Sequence, residues 1–187
     1  MGGQIAQLLI ETVFGLFIYV VLLRFWMQAL RAPFRNPVGQ FVIALSDWAV
    51  APLRRIVPPF RNYDLASFVV AWLAQVLMMV LLYAAVAGGQ PGAPGIAVIL
   101  LSLVALLRAS LHLLIFVVIV QVILTWVSPY TPLAPVFDGL TRPFYGVFRR
   151  FIPPIGNIDL SPLFVVVLAQ VLLIVLDGAP RAFLTSG

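Results

Sequence analysis

The chain has 187 residues, of which 63% are hydrophobic and only 9% charged, with a formal net charge of +5 and no cysteine. Soluble domains run at roughly half apolar and a quarter charged residues, so this composition excludes water as the main solvent. The lack of cysteine excludes disulfides, thiolate nucleophiles and thiolate-held metals.

In chain order, the first predicted element is a membrane-spanning helix over about residues 4–30. Its two charges, Glu11 and Arg24, lie toward its ends, where water and headgroups reach them. Met1 to Glu11 contains no Lys or Arg, unlike the basic start of a secretory signal peptide, so this span is expected to be retained. Asn36-Pro37 then reads as a helix N-cap followed by proline in the first helical position. Val38, Phe41, Val42, Leu45 and Trp48 follow at helical spacing, which predicts an amphipathic helix over about 37–56 that ends in Arg54-Arg55. Pro58-Pro59 stop it. Asp64 opens the second span, 65–87, which carries no charge and has Gln75 near its middle.

Residues 88–95 (GGQPGAPG) suit neither helix nor strand and read as a linker. Ile96 to Leu107 is apolar up to Arg108, and the third span is placed over about 108–127. A straight helix from Ile96 to Trp126 would measure about 46 Å, against a hydrocarbon core of about 30 Å, so it must tilt, bend or protrude. A second amphipathic helix follows over about 133–151, with Val136, Phe137, Leu140, Phe144, Val147 and Phe148 on one face and Arg149-Arg150 at its end. Pro153-Pro154 and Asp159 lead into a fourth span over about 160–176, which contains Gln170.

The two halves match. Arg54-Arg55, Pro58-Pro59, Asp64-Leu65 and Gln75 recur as Arg149-Arg150, Pro153-Pro154, Asp159-Leu160 and Gln170, every position offset by 95 residues. The chain therefore reads as an all-α membrane protein of four spans built from two parallel repeats, 1–87 and 96–187, each made of span, amphipathic interfacial helix and span. All eleven basic residues are arginine, and Arg31, Arg35, Arg54, Arg55, Arg61, Arg142, Arg149 and Arg150 fall in the loops inside the repeats. Basic loops mark the cytoplasmic side, which puts both chain ends and the linker outside. This distribution points to a bilayer with anionic headgroups, or to a partner at its surface, rather than to nucleic acid. The apolar faces of the two amphipathic helices have two compatible uses: lying among acyl chains, or packing on the protein's own spans.

The candidate residues divide by role. Arg54, Arg55, Arg149 and Arg150 are candidates for membrane-surface or partner contact. Asp64 and Asp159 are explained by capping their helices; a further reading pairs each with the arginine doublet upstream, and Pro58 and Pro153 set the turns of that lock. Glu11, Arg24, Gln75, Arg108, His112 and Gln170 are polar groups within spans. Aligning Arg24 with Gln121 sets Glu11 opposite Arg108 and suggests an ion pair between repeats. Gln75 and Gln170 read as helix-helix glue, or else as part of a polar path. His112 is the chain's sole histidine, so two-histidine haem ligation would require a dimer; a packing or proton-accepting role fits it better. No catalytic group, metal site or cofactor is expected, because no paired histidine, phosphate-binding glycine loop or ligand cluster is present.

Leu22-Leu23-Arg24-Phe25-Trp26-Met27-Gln28, Asn36-Pro37, Ala51-Pro52-Leu53-Arg54-Arg55-Ile56-Val57-Pro58 and Ile158-Asp159-Leu160-Ser161-Pro162 resemble the YggT family of integral membrane proteins, in its two-copy proteobacterial form. The resemblance implies a multi-pass protein of the bacterial inner membrane, with periplasmic termini and no assigned catalytic activity. It also implies links to osmotic or extracytoplasmic stress and ion homeostasis, and, for single-copy relatives, to cell division or plastid haem assembly. The second copy departs from the pattern at Gln121, where the first has Arg24, and has four more residues between its proline (Pro143) and Arg149 than separate Pro52 from Arg54. The expectation is a non-catalytic accessory or scaffold protein in stress response or membrane-complex assembly, with a membrane or cytosolic protein partner or self-association. The alternative is an oligomeric ion channel or transport modulator whose path Gln75, Gln170, Glu11 and Arg108 line.

Overall fold

The computed structural model describes residues 2–58, 63–87, 95–128, 130–150 and 159–185. Among these residues the chain is all-helical: α1 (Gly2–Ala29), α2 (Pro37–Arg54), α3 (Leu65–Ala87), α4 (Gly95–Val127), α5 (Ala134–Phe148) and α6 (Ser161–Thr185). Four segments are long and apolar enough to cross a bilayer: Gly3–Ala29, Leu65–Ala85, Ala97–Val127 and Ser161–Gly178. The protein is thus a multi-pass membrane protein. The third span differs from its expected start at 108, because Ile96 to Leu107 and Arg108 continue as one helix from Gly95. The reason is local: past Gly95 nothing breaks the helix, since no proline occurs before Pro129. The linker's remaining residues, 88–94, and Pro59, Arg61, Pro153 and Pro154 lie outside the described residues.

α1 ends in a Schellman turn. The Arg31 N–H bonds to Gln28 O (3.2 Å), the Ala32 N–H to Met27 O (2.8 Å), and Arg31 takes the left-handed conformation, φ 58°, with Pro33 just beyond. α2 then starts as its sequence dictates: the Gly39 N–H donates to Asn36 Oδ1 (2.9 Å), with Pro37 in the first turn. Gly39 has a steric requirement too, since a Cβ there would lie 2.3 Å from Phe34 O.

By packing, the chain forms two compact units: Met1–Phe25 with Val42–Leu107, and Trp26–Phe41 with Arg108–Gly187. Each combines most of one sequence copy with a short segment from beyond the copy boundary. In the first unit the buried face of α3 is made of small residues, Ala66, Ser67, Ala71 and Ala74, which allow close helix approach. Across it the Trp72 indole donates to Ser102 Oγ of α4 (2.9 Å). In the second unit the centre of the core is Val118 of α4, Tyr145 of α5 and Val165 of α6, with Leu114, Phe144, Phe148 and Val166 packed around them.

The two amphipathic helices differ in what they bury. α5 buries Val136, Phe137, Leu140, Thr141 and Tyr145. α2 buries Val42, Ser46 and Val50, while Phe41, Leu45 and Trp48 are exposed. The single apolar face expected for α2 is therefore split. Val42 packs inward at four-residue spacing with Ser46 and Val50, and the larger apolar residues face outward, where acyl chains suit them.

Candidate functional site

In the first unit, three helices bring four charged groups together at the loop end of α2. Arg24 of α1 is buried, 3% exposed, and donates through Nη1 to Ser46 Oγ (2.8 Å) and through Nη2 to Asp47 Oδ1 (2.9 Å), both on α2. Its Nε lies 3.9 Å from Asp64 Oδ2 at the start of α3, and Asp64 is fully buried. Arg54, at the end of α2, grips the same carboxylate with Nε on Oδ1 (3.2 Å) and Nη2 on Oδ2, and the Ser67 hydroxyl donates to Oδ2 (2.6 Å). Burial alone would push the Asp64 carboxyl up, but the hydrogen bonds of Arg54 and Ser67 and the charge of Arg54 outweigh it and hold the group below the usual carboxylate range. The Asp64 contact in turn raises the Arg54 guanidinium. Two arginines and two aspartates make this cluster charge-balanced.

The second unit builds the matching cluster from α4, α5 and the start of α6, with different chemistry. Gln121 stands where Arg24 stood and donates to Asp138 Oδ1, while its Oε1 accepts from Thr141 Oγ1 (2.5 Å). Arg149 donates through Nε (2.9 Å) and Nη2 (2.6 Å) to Asp159 Oδ2, and the Ser161 N–H caps onto Asp159 Oδ1 (2.9 Å). Burial raises Asp159, and the bonds from Ser161 and Arg149 overcome it, so its carboxyl is also lowered. This carboxylate is 29% exposed and Arg149 57%, against full burial of Asp64. One arginine against two aspartates leaves the cluster with a net negative charge. It borders a cavity of about 880 Å³ between α4, α5 and α6.

A second concavity, about 740 Å³, gathers Arg31 with Arg142, Arg149 and Arg150 of α5 and its end. Gly139 permits the approach, since a Cβ there would sit 3.1 Å from Ala32 Cα and Cβ. Arg31 reaches this place from the left-handed position usually given to glycine.

The remaining sequence-selected residues fall elsewhere. Arg55 and Pro58 are exposed. Glu11 is exposed and accepts from Gln7 Nε2 (2.9 Å). Within its own unit, Arg108 pairs through Nη2 with Asp177 of α6 (3.0 Å), and the same nitrogen donates to Leu176 O (2.6 Å). An acid at the end of the apolar part of α6 thus compensates the arginine. His112 is exposed, with Nδ1 2.9 Å from Arg108 O, a bond that turns the ring back along its own helix. Gln75 is buried, whereas Gln170 is exposed, so the two glutamines matched in sequence are unmatched in setting. The buried face of α3 includes Gln75 next to Ala71 and Ala74, while the buried stripe of α6 is narrow, Ser161, Val165 and Ala169, and Gln170 falls outside it. Among the described residues no group of three or more His, Cys, Asp or Glu side chains comes together to hold a metal.

Sequence reasoning missed Ser46, Asp47, Asp138, Thr141 and Asp177. A signal for two of them was present: Asp47 and Asp138 each stand five residues before a helix-interior proline, Pro52 and Pro143.

The CCB3/YggT family model matches residues 3–85 and 100–179, nearly the whole chain. The chain belongs to this family. A relative from Vibrio alginolyticus, described as an uncharacterized protein in the proC 3′ region, is 41% identical over 156 residues, covering 83% of this chain and 84% of that protein. The uncharacterized protein YggT of Escherichia coli K12 is 34% identical over 166 residues, 88% of this chain and 85% of its own. A Haemophilus influenzae protein is 25% identical over 159 residues. No solved structure matches the chain.

Proposed function

We propose that this CCB3/YggT protein is a non-catalytic accessory or scaffold component of the bacterial inner membrane, acting in osmotic or extracytoplasmic stress or in membrane-complex assembly. Its basic loops face the cytoplasm and its termini the periplasm. The observation that carries the reading is the concavity of four arginines, Arg31, Arg142, Arg149 and Arg150. Arginine presents a planar fork of donors suited to phosphate, and a non-glycine residue in the left-handed region costs about 1 kcal/mol, which a useful guanidinium position offsets. Arg54 and Arg149 each give Nε and Nη2 to Asp64 and Asp159, so they fasten the amphipathic helices to the spans. The adjoining Arg55 and Arg150 are left to meet anionic headgroups or a partner from the exposed side.

Cross-linking with mass spectrometry in native membranes tests the scaffold role, with Arg142→Gln/Arg150→Gln as the variant. The reading expects reproducible partner or self cross-links that weaken in the variant, together with loss of retained anionic phospholipid. Salt-dependent ion flux from liposomes containing the purified protein would overturn it in favour of an ion-conducting oligomer, and replacing Gln75 and Gln170 by leucine would then abolish that flux.

A further inference from the structure

We infer that the cavity between α4, α5 and α6 binds the primary ammonium headgroup of a membrane amphiphile, of the aminophospholipid type. In the first unit the corresponding position is filled by a cation of the chain itself: the Arg24 guanidinium, 3% exposed, holds Ser46 and Asp47 and lies beside Asp64. Gln121 replaces it in the second unit. The side chain is shorter and uncharged, and it leaves Asp138 and Asp159 with Arg149 as the one cation of the cluster.

The cation is missing where space is present. The cavity measures about 880 Å³, whereas a water takes about 30 Å³ and pockets for small molecules run from about 300 to 1,000 Å³. Its walls are mostly apolar, with Val118, Val122, Leu163 and Val166 along the spans and the polar groups at one end. Tyr145, 4% exposed, forms part of the wall, with the Thr141 hydroxyl beside its own. That Thr141 hydroxyl points its proton toward Gln121 Oε1 and Phe137 O.

The chemistry selects among headgroups. A primary ammonium has three donors for the Asp138 and Asp159 carboxylates, and the adjoining phosphodiester meets Arg149. A quaternary choline has no N–H to give, and a glycerol headgroup brings no cation to a site that is one short. The acyl chain then follows the apolar wall. This site is separate in chemistry from the four-arginine concavity, although Arg149 borders both.

The experiment uses the full chain purified in mild detergent, with retained lipid read by mass spectrometry of intact complexes. Phosphatidylethanolamine, its N-trimethylated phosphatidylcholine analogue and phosphatidylglycerol are offered in equal amounts. The expected result is preferential retention of phosphatidylethanolamine over phosphatidylcholine by roughly tenfold, the worth of one or two charge-assisted hydrogen bonds. Gln121→Arg, which installs the first unit's own solution, should abolish that preference while phosphatidylglycerol retention at the arginines persists. Asp138→Asn serves as the second variant and should weaken the preference in the same direction. Equal retention of the two nitrogen headgroups, or a preference unchanged in Gln121→Arg and Asp138→Asn, overturns the inference. Displacement of the lipid by millimolar free ethanolamine would assign the ammonium to a soluble amine and overturn the lipid source. Loss of phosphatidylglycerol retention alone would fail the scaffold reading and leave this one standing.

Discussion

Asp64 and Asp159 occupy identical places in the sequence repeat, yet the structure gives them different weights, and substitution by asparagine should reveal it. Asp64 is fully buried with two arginines on it, Arg24 at 3.9 Å and Arg54 in direct contact. A unit charge about 4 Å away is worth about 4 kcal/mol gross at an effective dielectric near 20, and removing one member of a buried pair costs about 3–5 kcal/mol. Arg24 keeps Ser46 and Asp47, Arg54 is 37% exposed, and asparagine still offers one oxygen to Ser67. These relieve part of the loss and bring the expectation for Asp64→Asn to about 3 kcal/mol. For Asp159→Asn, with 29% and 57% exposure of the two partners, solvent screening limits the cost to about 0.5–1 kcal/mol. The assay is reversible unfolding in dodecyl maltoside micelles titrated with sodium dodecyl sulfate, followed by tryptophan fluorescence and circular dichroism. Equal costs for the two variants, or the reverse order, would refute the reasoning from burial.

The lowered carboxyl of Asp64 makes a pH prediction: its contribution is complete above the ordinary carboxylate value of about 3.9 and is lost as pH falls through the lowered one, so the wild type should lose stability below about pH 4 more steeply than Asp64→Asn. Gly39→Ala forces a Cβ against Phe34 O and should destabilise the protein by about 1–3 kcal/mol, read in the same unfolding assay. Arg31→Gly removes the left-handed penalty and should raise stability by about 0.5–1 kcal/mol while reducing retention of anionic phospholipid, two effects of opposite sign in one variant. Ser102→Ala deletes the acceptor of the Trp72 indole and should cost about 0.6 kcal/mol, with a blue shift in tryptophan emission as the local readout.

Much of the architecture was legible because each element announces itself by a strong local signal. An uncharged run long enough to span gives α3, α1 reads as a span with Glu11 and Arg24 toward its ends, and Asn36-Pro37 fixes the start of α2 through a cap that needs no tertiary partner. The start of α4 was misplaced because Arg108 looked like a span boundary, whereas its charge is met by Asp177, a contact of long sequence separation. The candidate site was half legible. Arg54 with Asp64 and Arg149 with Asp159 stand ten residues apart and stood out as repeated pairs. The part contributed by α2 and α5, Ser46 and Asp47 or Asp138 and Thr141, was hidden because polar residues on an amphipathic helix read as its solvent face until a span is packed against them. Gln75 and Gln170 teach the same lesson from the other side: identical spacing on two helices does not fix burial, which depends on how much of each helix its neighbours cover.

α4 carries one more consequence, for the kind of membrane the protein suits. Its apolar stretch of 31 residues is about 46 Å long, and laying it wholly within a 30 Å hydrocarbon layer would require a tilt of about 49°, beyond the usual range of up to about 40°. Tilt alone therefore leaves apolar surface at the interface, and the mismatch shrinks as the layer thickens. Reconstituted with lipids of increasing acyl length, the protein should gain stability where a protein with spans of ordinary length would have passed its optimum. A helix of this length ties the protein's stability to the thickness of the bilayer around it.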